Sequence, residues 1–388
     1  MKRAVAAAAA AFTLALVLPA CARKDRAPVA AAYPVKIETV DGVRTVLNPI
    51  YPKEGVVRYA LEEELVVGGE GGGAESVLNR PQSLDVDARG DIYVLDWGDV
   101  DFKVFGPDGR LLRKFGKKGQ GPGEFDIPAR FDLTVDGRIV LLSGRQNQLV
   151  ILDGEGKYLS SFRVDGFCDD VAVDGRGRVY YTQMLSPEPG GGEEYQLIRN
   201  RKALFRSDEL GRERTKFGEY PDVTMMRKVT KAGEGMSSQS LTSREAYRTS
   251  WLVGPGDRVY VGYNKDYRLD VHDADWKLLF RFGRESTPLP HPEYQPDGPH
   301  PEFYPAFSDW RKFFDGEGNL WLEQYVGEGI EEHVFDVFTP EGIYLKQVRV
   351  PQTLFLVRGD RAYSIVRTED EFLVVKRFLM VPAPEGGR

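Results

Sequence analysis

The sequence contains few of the side chains on which most enzymes and disulfide-linked proteins depend. Its 388 residues include two cysteines and four histidines. It contains no Gly-x-Ser-x-Gly motif, and the glycine-rich stretches at 68–73 and 119–123 are not followed by Lys-Ser or Lys-Thr. These features argue against a nucleophile elbow and against a phosphate-binding loop. We therefore predict a protein without catalytic residues and without a cofactor.

The four histidines do not follow a metal-binding pattern. His291 and His300 share the proline-rich loop 288–305 with Glu293 and Asp297. Their spacing matches no known ligand motif, and histidines in such loops are more often simply exposed. We predict no bound metal, and a site in this loop is the less favoured alternative.

Long apolar segments and an excess of basic residues are also missing. The longest apolar run, 4–18, is too short for a stable transmembrane helix. It follows Lys2 and Arg3, so residues 1–20 have the layout of an export signal. Removing Lys2 and Arg3 would change the formal net charge from −7 to −9. An acidic protein is a poor partner for nucleic acid, whose phosphates require a basic surface.

The segment Leu18-Pro19-Ala20-Cys21 resembles the lipobox of bacterial lipoproteins. The resemblance implies cleavage before Cys21 and acylation of its sulfur, which would anchor the protein to a membrane. Ala22 follows the cysteine, and by similarity to enterobacterial sorting this implies the outer membrane of the cell envelope. Residues 21–34 are predicted to form a tether. The alternative is an ordinary secretory signal with Cys21 present by chance.

If Cys21 is acylated, Cys168 is the only thiol left in the chain. An intrachain disulfide is then impossible, even though the predicted compartment is oxidising. The stability of the folded protein must therefore come from packing.

The main signal in the sequence is a repeated phrase, in which a turn containing Asp or Gly precedes an apolar strand. Such turns supply the positive-φ glycine and the side-chain acceptor that a tight hairpin needs. A second hairpin phrase follows most copies, so each repeat predicts a four-stranded blade. The six copies begin at Asp87, Val135, Asp174, Gly254, Asp315 and Arg358.

The sixth repeat contains only three strands before the chain ends. We expect the missing strand to come from Leu61–Gly69, paired beside Phe372–Phe378, because this pairing would remove exposed edges. The predicted fold is all-β, a six-bladed β-propeller of four-stranded antiparallel blades over 61–381. A hairpin extension at 35–60 and a tail at 382–388 complete the predicted organisation.

Seven blades are the alternative, because the gap between Tyr180 and Tyr260 is about two repeats long. The segment 220–249 contains no second Asp-Gly hairpin, and we expect it to be a loop with helical turns.

The heptapeptide Gly119-Gln-Gly-Pro-Gly-Glu-Phe, with Pro128 shortly after it, resembles the linker of NHL-type repeats. The chain as a whole resembles the bacterial six-bladed β-propeller lipoproteins over Leu61–Val381, most strongly in the first two blades. The resemblance implies the fold and says little about activity, because propellers host many unrelated functions.

The longest loops are all expected at one end of the propeller. The segments 187–194, 220–248 and 285–305 belong to blade-to-blade linkers or to turns between second and third strands, and such loops usually carry binding sites. Aromatic and polar residues in the same set of turns suit a glycan, a peptide or a protein. The ligand-binding candidates are Trp97, Asp99, Arg145, Tyr263, Asn264 and Tyr325.

For any one of these residues, the alternative role is to bond the backbone of its own loop. We predict an envelope lipoprotein that acts as a non-catalytic binding or scaffolding propeller. The alternative is a metal-dependent hydrolase or lyase with a carboxylate cluster in the propeller channel. Its candidate residues are Asp85, Asp132, Asp169, Asp170 and Asp309.

Overall fold

Strands make up nearly all of the regular structure. The computed structural model describes residues 34–144, 147–187, 195–232, 235–295, 300–326 and 330–383. The predicted export signal, Cys21 and Arg145 lie outside these residues. Within them, helical structure is limited to short 3₁₀ turns at Glu70–Gly72 and Pro255–Asp257. None of the described helices has the length and apolar character needed to cross a bilayer.

Three strands precede the repeats, and the rest form successive groups, here called units 1 to 6. The preceding strands are β1 (Lys36–Val40), β2 (Val43–Asn48) and β3 (Val56–Val67). Unit 1 comprises β4 (Pro81–Val86), β5 (Ile92–Asp96), β6 (Asp101–Phe105) and β7 (Leu111–Phe115). Unit 2 comprises β8 (Pro128–Leu133), β9 (Ile139–Ser143), β10 (Gln148–Leu152) and β11 (Tyr158–Arg163). Unit 3 comprises β12 (Val171–Val173), β13 (Val179–Met184), β14 (Tyr195–Ser207), β15 (Thr215–Ala232) and β16 (Gly235–Leu241).

The last three units follow the same order. Unit 4 comprises β17 (Thr249–Gly254), β18 (Arg258–Tyr263), β19 (Arg268–His272) and β20 (Leu278–Arg284). Unit 5 comprises β21 (Lys312–Phe314), β22 (Leu320–Glu323), β23 (His333–Phe338) and β24 (Tyr344–Val350). Unit 6 has β25 (Leu356–Arg358), β26 (Arg361–Arg367) and β27 (Leu373–Pro382). Neighbouring strands within each unit are antiparallel.

Six of the hairpin turns are each held by one aspartate side chain. In the first, Asp87 Oδ1 accepts hydrogen bonds from the amides of Arg89 and Asp91, both at 2.9 Å, and Gly90 has a φ of 86°. Bonds to the amides two and four residues ahead organise the backbone locally, which is why the turn can be recognised in the sequence. The same pattern occurs at Asp153, Asp174, Asp208, Asp273 and Asp315.

The hydrophobic core lies between the units rather than within one of them. All five residues of β5 and of β9 are buried, because both faces of these second strands are covered by neighbouring units. Five core clusters each join two consecutive units, and a sixth packs Leu356 and Tyr363 of unit 6 against Leu84 and Val94 of unit 1. The first strands of the units, β4, β8, β12, β17, β21 and β25, contact one another in that order.

The N-terminal strand β3 supplies the fourth strand of unit 6. It pairs antiparallel with β27, from Val67 opposite Val375 to Tyr59 opposite Pro382, which confirms the predicted pairing. The start of β3 also runs parallel to β24, and β2 runs parallel to β20. Residues 43–67 therefore cover the outer edges of units 4, 5 and 6, which would otherwise expose unpaired backbone groups.

Asn48, at the end of β2, joins this N-terminal segment to two units. Its buried side-chain amide donates to the carbonyls of Gly283 at 2.9 Å and Gly342 at 2.8 Å, and its Oδ1 accepts from the amide of Tyr344 at 2.9 Å. Three hydrogen bonds in the core fix the N-terminal segment against units 4 and 5.

The expected loop with helical turns at 220–249 is instead mostly strand. β15 continues to Ala232 and β16 follows as a further antiparallel strand, so this segment extends unit 3 to five strands. The physical reason is that β14 begins at Tyr195 and offers a hydrogen-bonding edge as far as Lys228. The extension also accounts for the long gap between Tyr180 and Tyr260.

Candidate functional site

A pocket opens at one end of units 4 and 5. Its volume is about 350 Å³. Three segments line it: the connection from β16 to β17, the connection that leads into β21 and the turn after β22. These are linkers and a second-to-third strand turn, so the pocket lies on the face to which the sequence assigned the long loops. The lining residues are Thr242, Ser243, Arg244, Glu245, Arg248, Trp310 and Tyr325.

Trp310 is the most conspicuous group in the pocket because 52% of it is exposed. Two guanidinium groups approach its ring, with the Cζ of Arg130 at 5.6 Å and that of Arg248 at 5.9 Å from the ring centroid. Both distances suit cation–π attraction. The pocket therefore combines a half-exposed aromatic face with positive charge.

Tyr325 forms another wall of the pocket. Its ring stacks on Tyr304 at 5.7 Å, and Tyr304 stacks in turn on His291 at 4.5 Å. Burial, with a smaller contribution from the charge of Glu245, raises the pKa of Tyr325 to about 12. The Tyr325 hydroxyl therefore stays protonated at neutral pH and can donate a hydrogen bond to a ligand.

Arg248 is positioned by Asn264. The Arg248 amide donates to Asn264 Oδ1 at 2.6 Å, and the Asn264 side-chain amide donates to the Phe307 carbonyl at 3.0 Å. Within the described part of the chain, the buried Nε of Arg248 has no hydrogen-bond partner. The backbone of Arg248 is thus fixed while its guanidinium keeps donor capacity for a ligand.

The inner-strand carboxylates influence one another, since, in addition to burial, the charges of Asp85 and Asp170 raise the pKa of Asp132, and those of Asp169 and Asp309 raise the pKa of Asp170. Four of the five candidates pair with a cation, and three of these side chains are 17–22% exposed, so water reaches them. The pairs are Asp85 with Arg358 at 3.2 Å, Asp169 with Lys202 at 3.2 Å, Asp170 with Arg130 at 3.4 Å, and Asp309 with Lys312 at 3.0 Å.

Asp132 differs from the other four carboxylates. Its oxygens accept hydrogen bonds from the amides of Val173 at 2.7 Å and Leu133 at 3.0 Å, and no cation pairs with it among the described residues. Burial, followed by the charge of Asp85, raises the pKa of Asp132 to about 7, with a smaller contribution from Asp170. Asp132 is therefore only partly ionised at neutral pH.

Comparisons with known proteins concern the fold. A family model described as 6-bladed beta-propeller matches residues 77–226, which is less than half of the chain. A member of the DUF4221 family from Bacteroides vulgatus is 10% identical, with a TM-score of 0.50 over 83% of this chain and 98% of that one. The chain therefore has a β-propeller fold.

Two further solved structures are similar at lower TM-scores. A protein of Bacteroides fragilis described as exported is 10% identical, with a TM-score of 0.49 over 88% of this chain and 100% of that chain. Regucalcin from Agrobacterium tumefaciens, a calcium-binding protein, is 14% identical, with a TM-score of 0.44 over 85% and 97%. No curated protein matches the sequence.

The propeller brings two of the six predicted ligand-binding residues to the pocket. Tyr325 lines it, and Asn264 lies behind it as the support of Arg248. Tyr263 packs against Tyr247, edge to face, with centroids 6.1 Å apart. Arg145 lies outside the described residues, so its placement stays a prediction.

Trp97 and Asp99 lie in unit 1 and are not among the pocket residues. The guanidinium of Arg80 covers the Trp97 ring at 4.6 Å. Asp99 accepts hydrogen bonds from Lys103 at 2.8 Å and from the side chain of Asn79 at 3.3 Å. Both residues thus have partners within the protein.

Sequence reasoning missed Arg244, Glu245, Arg248 and Trp310. The signal that could have found them is positional, since they lie in the connections that lead into the first strands of units 4 and 5. Residues there face the end of the propeller that carries the linkers. The run Asp309-Trp-Arg-Lys312 is conspicuous in the sequence, which predicts a role for Asp309 alone among these residues.

Proposed function

We propose that the protein is a lipid-anchored propeller of the cell envelope that binds a carboxylate-bearing ligand, an acidic glycan or a peptide, without transforming it. The observation that carries the proposal is Trp310, half exposed at the pocket and approached by Arg130 and Arg248. A ligand with a flat apolar face could stack on the indole while its carboxylate pairs with a guanidinium.

The charge of the pocket supports this choice of ligand. The whole protein carries a formal net charge of −7, yet Arg244 and Arg248 line the pocket together with a single carboxylate, Glu245. A local positive field attracts anionic ligands to the pocket. The negative charge on the rest of the protein repels such ligands from other parts of the surface.

The pairing of the inner-strand carboxylates supports binding over the alternative, a metal-dependent hydrolase or lyase. Four of the five acids already have a lysine or arginine within 3.4 Å, and the pKa of Asp132 is about 7. A metal would have to displace these cations and also a proton.

We further infer that the six units close into a six-bladed ring. Support comes from the core cluster that joins units 6 and 1 and from β3, which completes unit 6. A closed ring would give the pocket rigid walls, because each unit is packed on both faces.

The lipid anchor predicts a defined effect of Cys21→Ala in the full-length chain. Expressed in a Gram-negative host, the variant should lose incorporation of labelled palmitate and move from the membrane fraction to the soluble fraction, because acyl chains supply the membrane affinity. Cys168→Ala is the matched control and should behave as the wild type, since Cys168 is buried. A Cys21→Ala protein that still carries label would refute the anchor.

The pocket predicts that Trp310→Ala and Arg248→Gln each weaken ligand binding about tenfold, equivalent to about 1.4 kcal/mol. Isothermal titration should use two probe pairs: oligogalacturonate against its methyl ester, and peptides with a free C-terminal carboxylate against their amides. Only the charged member of a pair should bind. The pair that binds shows whether the ligand is an acidic glycan or a peptide.

Phe167→Ala provides the matched control for Trp310→Ala. Phe167 is an exposed aromatic residue that precedes the first strand of unit 3, so it lies at the same end of the propeller but outside the pocket. Its removal should leave affinity unchanged. Equal losses in both variants, or equal binding of charged and uncharged probes, would contradict the assignment of the pocket.

A further inference from the structure

Three side chains at the edge of the pocket bring potential metal ligands together. Each of Glu245, His291 and His300 offers one ligand atom, and these atoms all lie within 4.8 Å of one another. Glu245 Oε2 and His291 Nε2 are 3.9 Å apart. Ligand atoms of a tetrahedral zinc are about 3.3 Å apart, given bonds of about 2.0 Å. Small side-chain movements would therefore complete such a site.

His291 provides an independent indication of a missing partner. Its side chain is only 3% exposed, and its Nε2 has no hydrogen-bond partner among the described residues. The ring is held by its stacking on Tyr304 and by the amide of Glu293, which donates to Nδ1 at 3.1 Å. A buried polar nitrogen without a partner is costly. The lack of a partner for this nitrogen therefore indicates that an additional group binds between His291 and Glu245.

Ser243 prepares His300 for coordination. The Ser243 hydroxyl donates to Glu245 Oε2 at 2.9 Å, so its oxygen can accept a hydrogen bond from His300 Nδ1 at 3.1 Å. A proton on Nδ1 leaves the lone pair of His300 Nε2 free, which is the tautomer that a metal ligand requires. One hydroxyl thus orients two of the three ligands.

Glu293 could supply a fourth ligand after a side-chain movement, because it lies beside His300 but outside the group of three. Its Oε2 lies 3.2 Å from His300 Nε2, close to the separation of two ligands on one tetrahedral zinc. The Glu293 side chain is largely exposed, so it can approach a metal or leave the position to water or to a ligand in the pocket.

We propose that Glu245, His291 and His300 bind a divalent transition metal, with zinc as the best fit. Two imidazoles and a carboxylate suit zinc, whereas calcium and magnesium prefer oxygen ligands only. Binding would move the proton of His291 from Nε2 to Nδ1 and break the bond from the Glu293 amide. The loss of one neutral hydrogen bond is small beside the free energy of zinc coordination.

This site differs from both metal expectations of the sequence analysis. It does not use the inner-strand carboxylates, and it adds Glu245, which is far from the two histidines in the chain, to the loop 288–305. No local spacing motif can reveal such a site, since the connection between β16 and β17 supplies one ligand and a different loop supplies the others. The metal site shares Glu245 with the pocket, but the zinc proposal does not depend on which organic ligand the pocket binds.

The test is zinc binding by the full-length chain, purified without a histidine tag. Equilibrium dialysis followed by elemental analysis should find one zinc per chain, and cobalt substitution should give the visible absorption of a tetrahedral site. Glu245→Gln and His300→Gln should each lower zinc affinity at least tenfold. Ser243→Ala should lower it about tenfold through the lost orientation of two ligands.

His333→Gln is the matched control, because His333 also pairs with a glutamate, Glu323, at 2.7 Å but has no third ligand in the described structure. It should retain wild-type zinc affinity. Glu245 and His300 are partly exposed, so their glutamine variants should fold, and far-UV circular dichroism checks this. Failure of the wild type to retain zinc, or an equal loss in His333→Gln, would overturn the proposal.

Discussion

Replacing Lys103 by methionine should destabilise the folded protein by about 3–5 kcal/mol. The Lys103 side chain is only 1% exposed, and its ammonium lies 3.1 Å from Asp96, 2.8 Å from Asp99 and 3.0 Å from Asp101. Each of its three N–H groups therefore has a carboxylate acceptor. Methionine keeps much of the apolar stem but leaves the carboxylates without their shared cation. Urea denaturation at neutral pH measures the loss.

Lys114→Met is the matched control. Lys114 contacts Asp101 at 3.0 Å, but 41% of its side chain is exposed, so water already screens the interaction. Exposed ion pairs contribute about 0–1 kcal/mol. If Lys103→Met lost no more stability than Lys114→Met, the buried ammonium would not be the group that balances the three acids.

The Lys103 network also gives Asp99, a predicted ligand-binding residue, a structural role. Burial raises the pKa of Asp99, but hydrogen bonding to Lys103 outweighs this effect and lowers the pKa overall. The partner sits four residues later, on the next strand across the turn. A turn rich in Asp and Trp looks like a binding loop in the sequence, whereas its charges are used internally once β6 places Lys103 beneath them.

The parts of the fold that were predictable have local causes. In six of the hairpin turns one aspartate accepts hydrogen bonds from the amides two and four residues ahead, so a short stretch of sequence is enough to predict the turn. The pairing of β3 with β27 followed from a count of strands, because the last repeat lacked one. The length of β15 did not follow, since it depends on the edge that β14 offers many residues earlier.

The candidate site was harder to predict because the pocket joins segments that are far apart in the chain. The long loops predicted a binding site at the end of the propeller where the pocket lies, and Tyr325 is both a predicted residue and a pocket residue. Trp310 stands out only through its exposure beside Arg130 and Arg248, which no periodicity reveals. Asn264 was named for its polar side chain, but in the structure its amide supports the backbone of Arg248.

The stability of the Asp132→Asn variant relative to the wild type, measured at the same pH, should be higher at pH 8 than at pH 4. The folded-state pKa is about 7 and the reference value is 3.8. Between these values the unfolded state binds fewer protons than the folded state, so wild-type stability falls as pH rises through this window. Three pKa units correspond to at most about 4 kcal/mol, and water near the inner strands reduces the expected change to roughly 2 kcal/mol.

The comparison across pH removes the constant cost of the substitution. Asparagine cannot accept hydrogen bonds at both side-chain atoms, so it loses one of the bonds from Val173 and Leu133 at every pH. The relevant quantity is the change in ΔΔG between pH 4 and pH 8, measured by urea denaturation. The free energy of unfolding of the variant minus that of the wild type should increase from pH 4 to pH 8.

Asp309→Asn tests the cause of the Asp132 effect, because its pKa is shifted in the opposite direction. Burial raises the pKa of Asp309, but Lys312 and Lys202 outweigh it and lower the pKa to about 2. The stability that ionised Asp309 contributes is therefore lost only below about pH 4, so its ΔΔG should stay constant between pH 4 and pH 8. Asp309 pairs with a lysine, whereas Asp132 has no cation among the described residues. If ΔΔG changed with pH in the same way for both variants, this difference would not be the cause of the Asp132 effect.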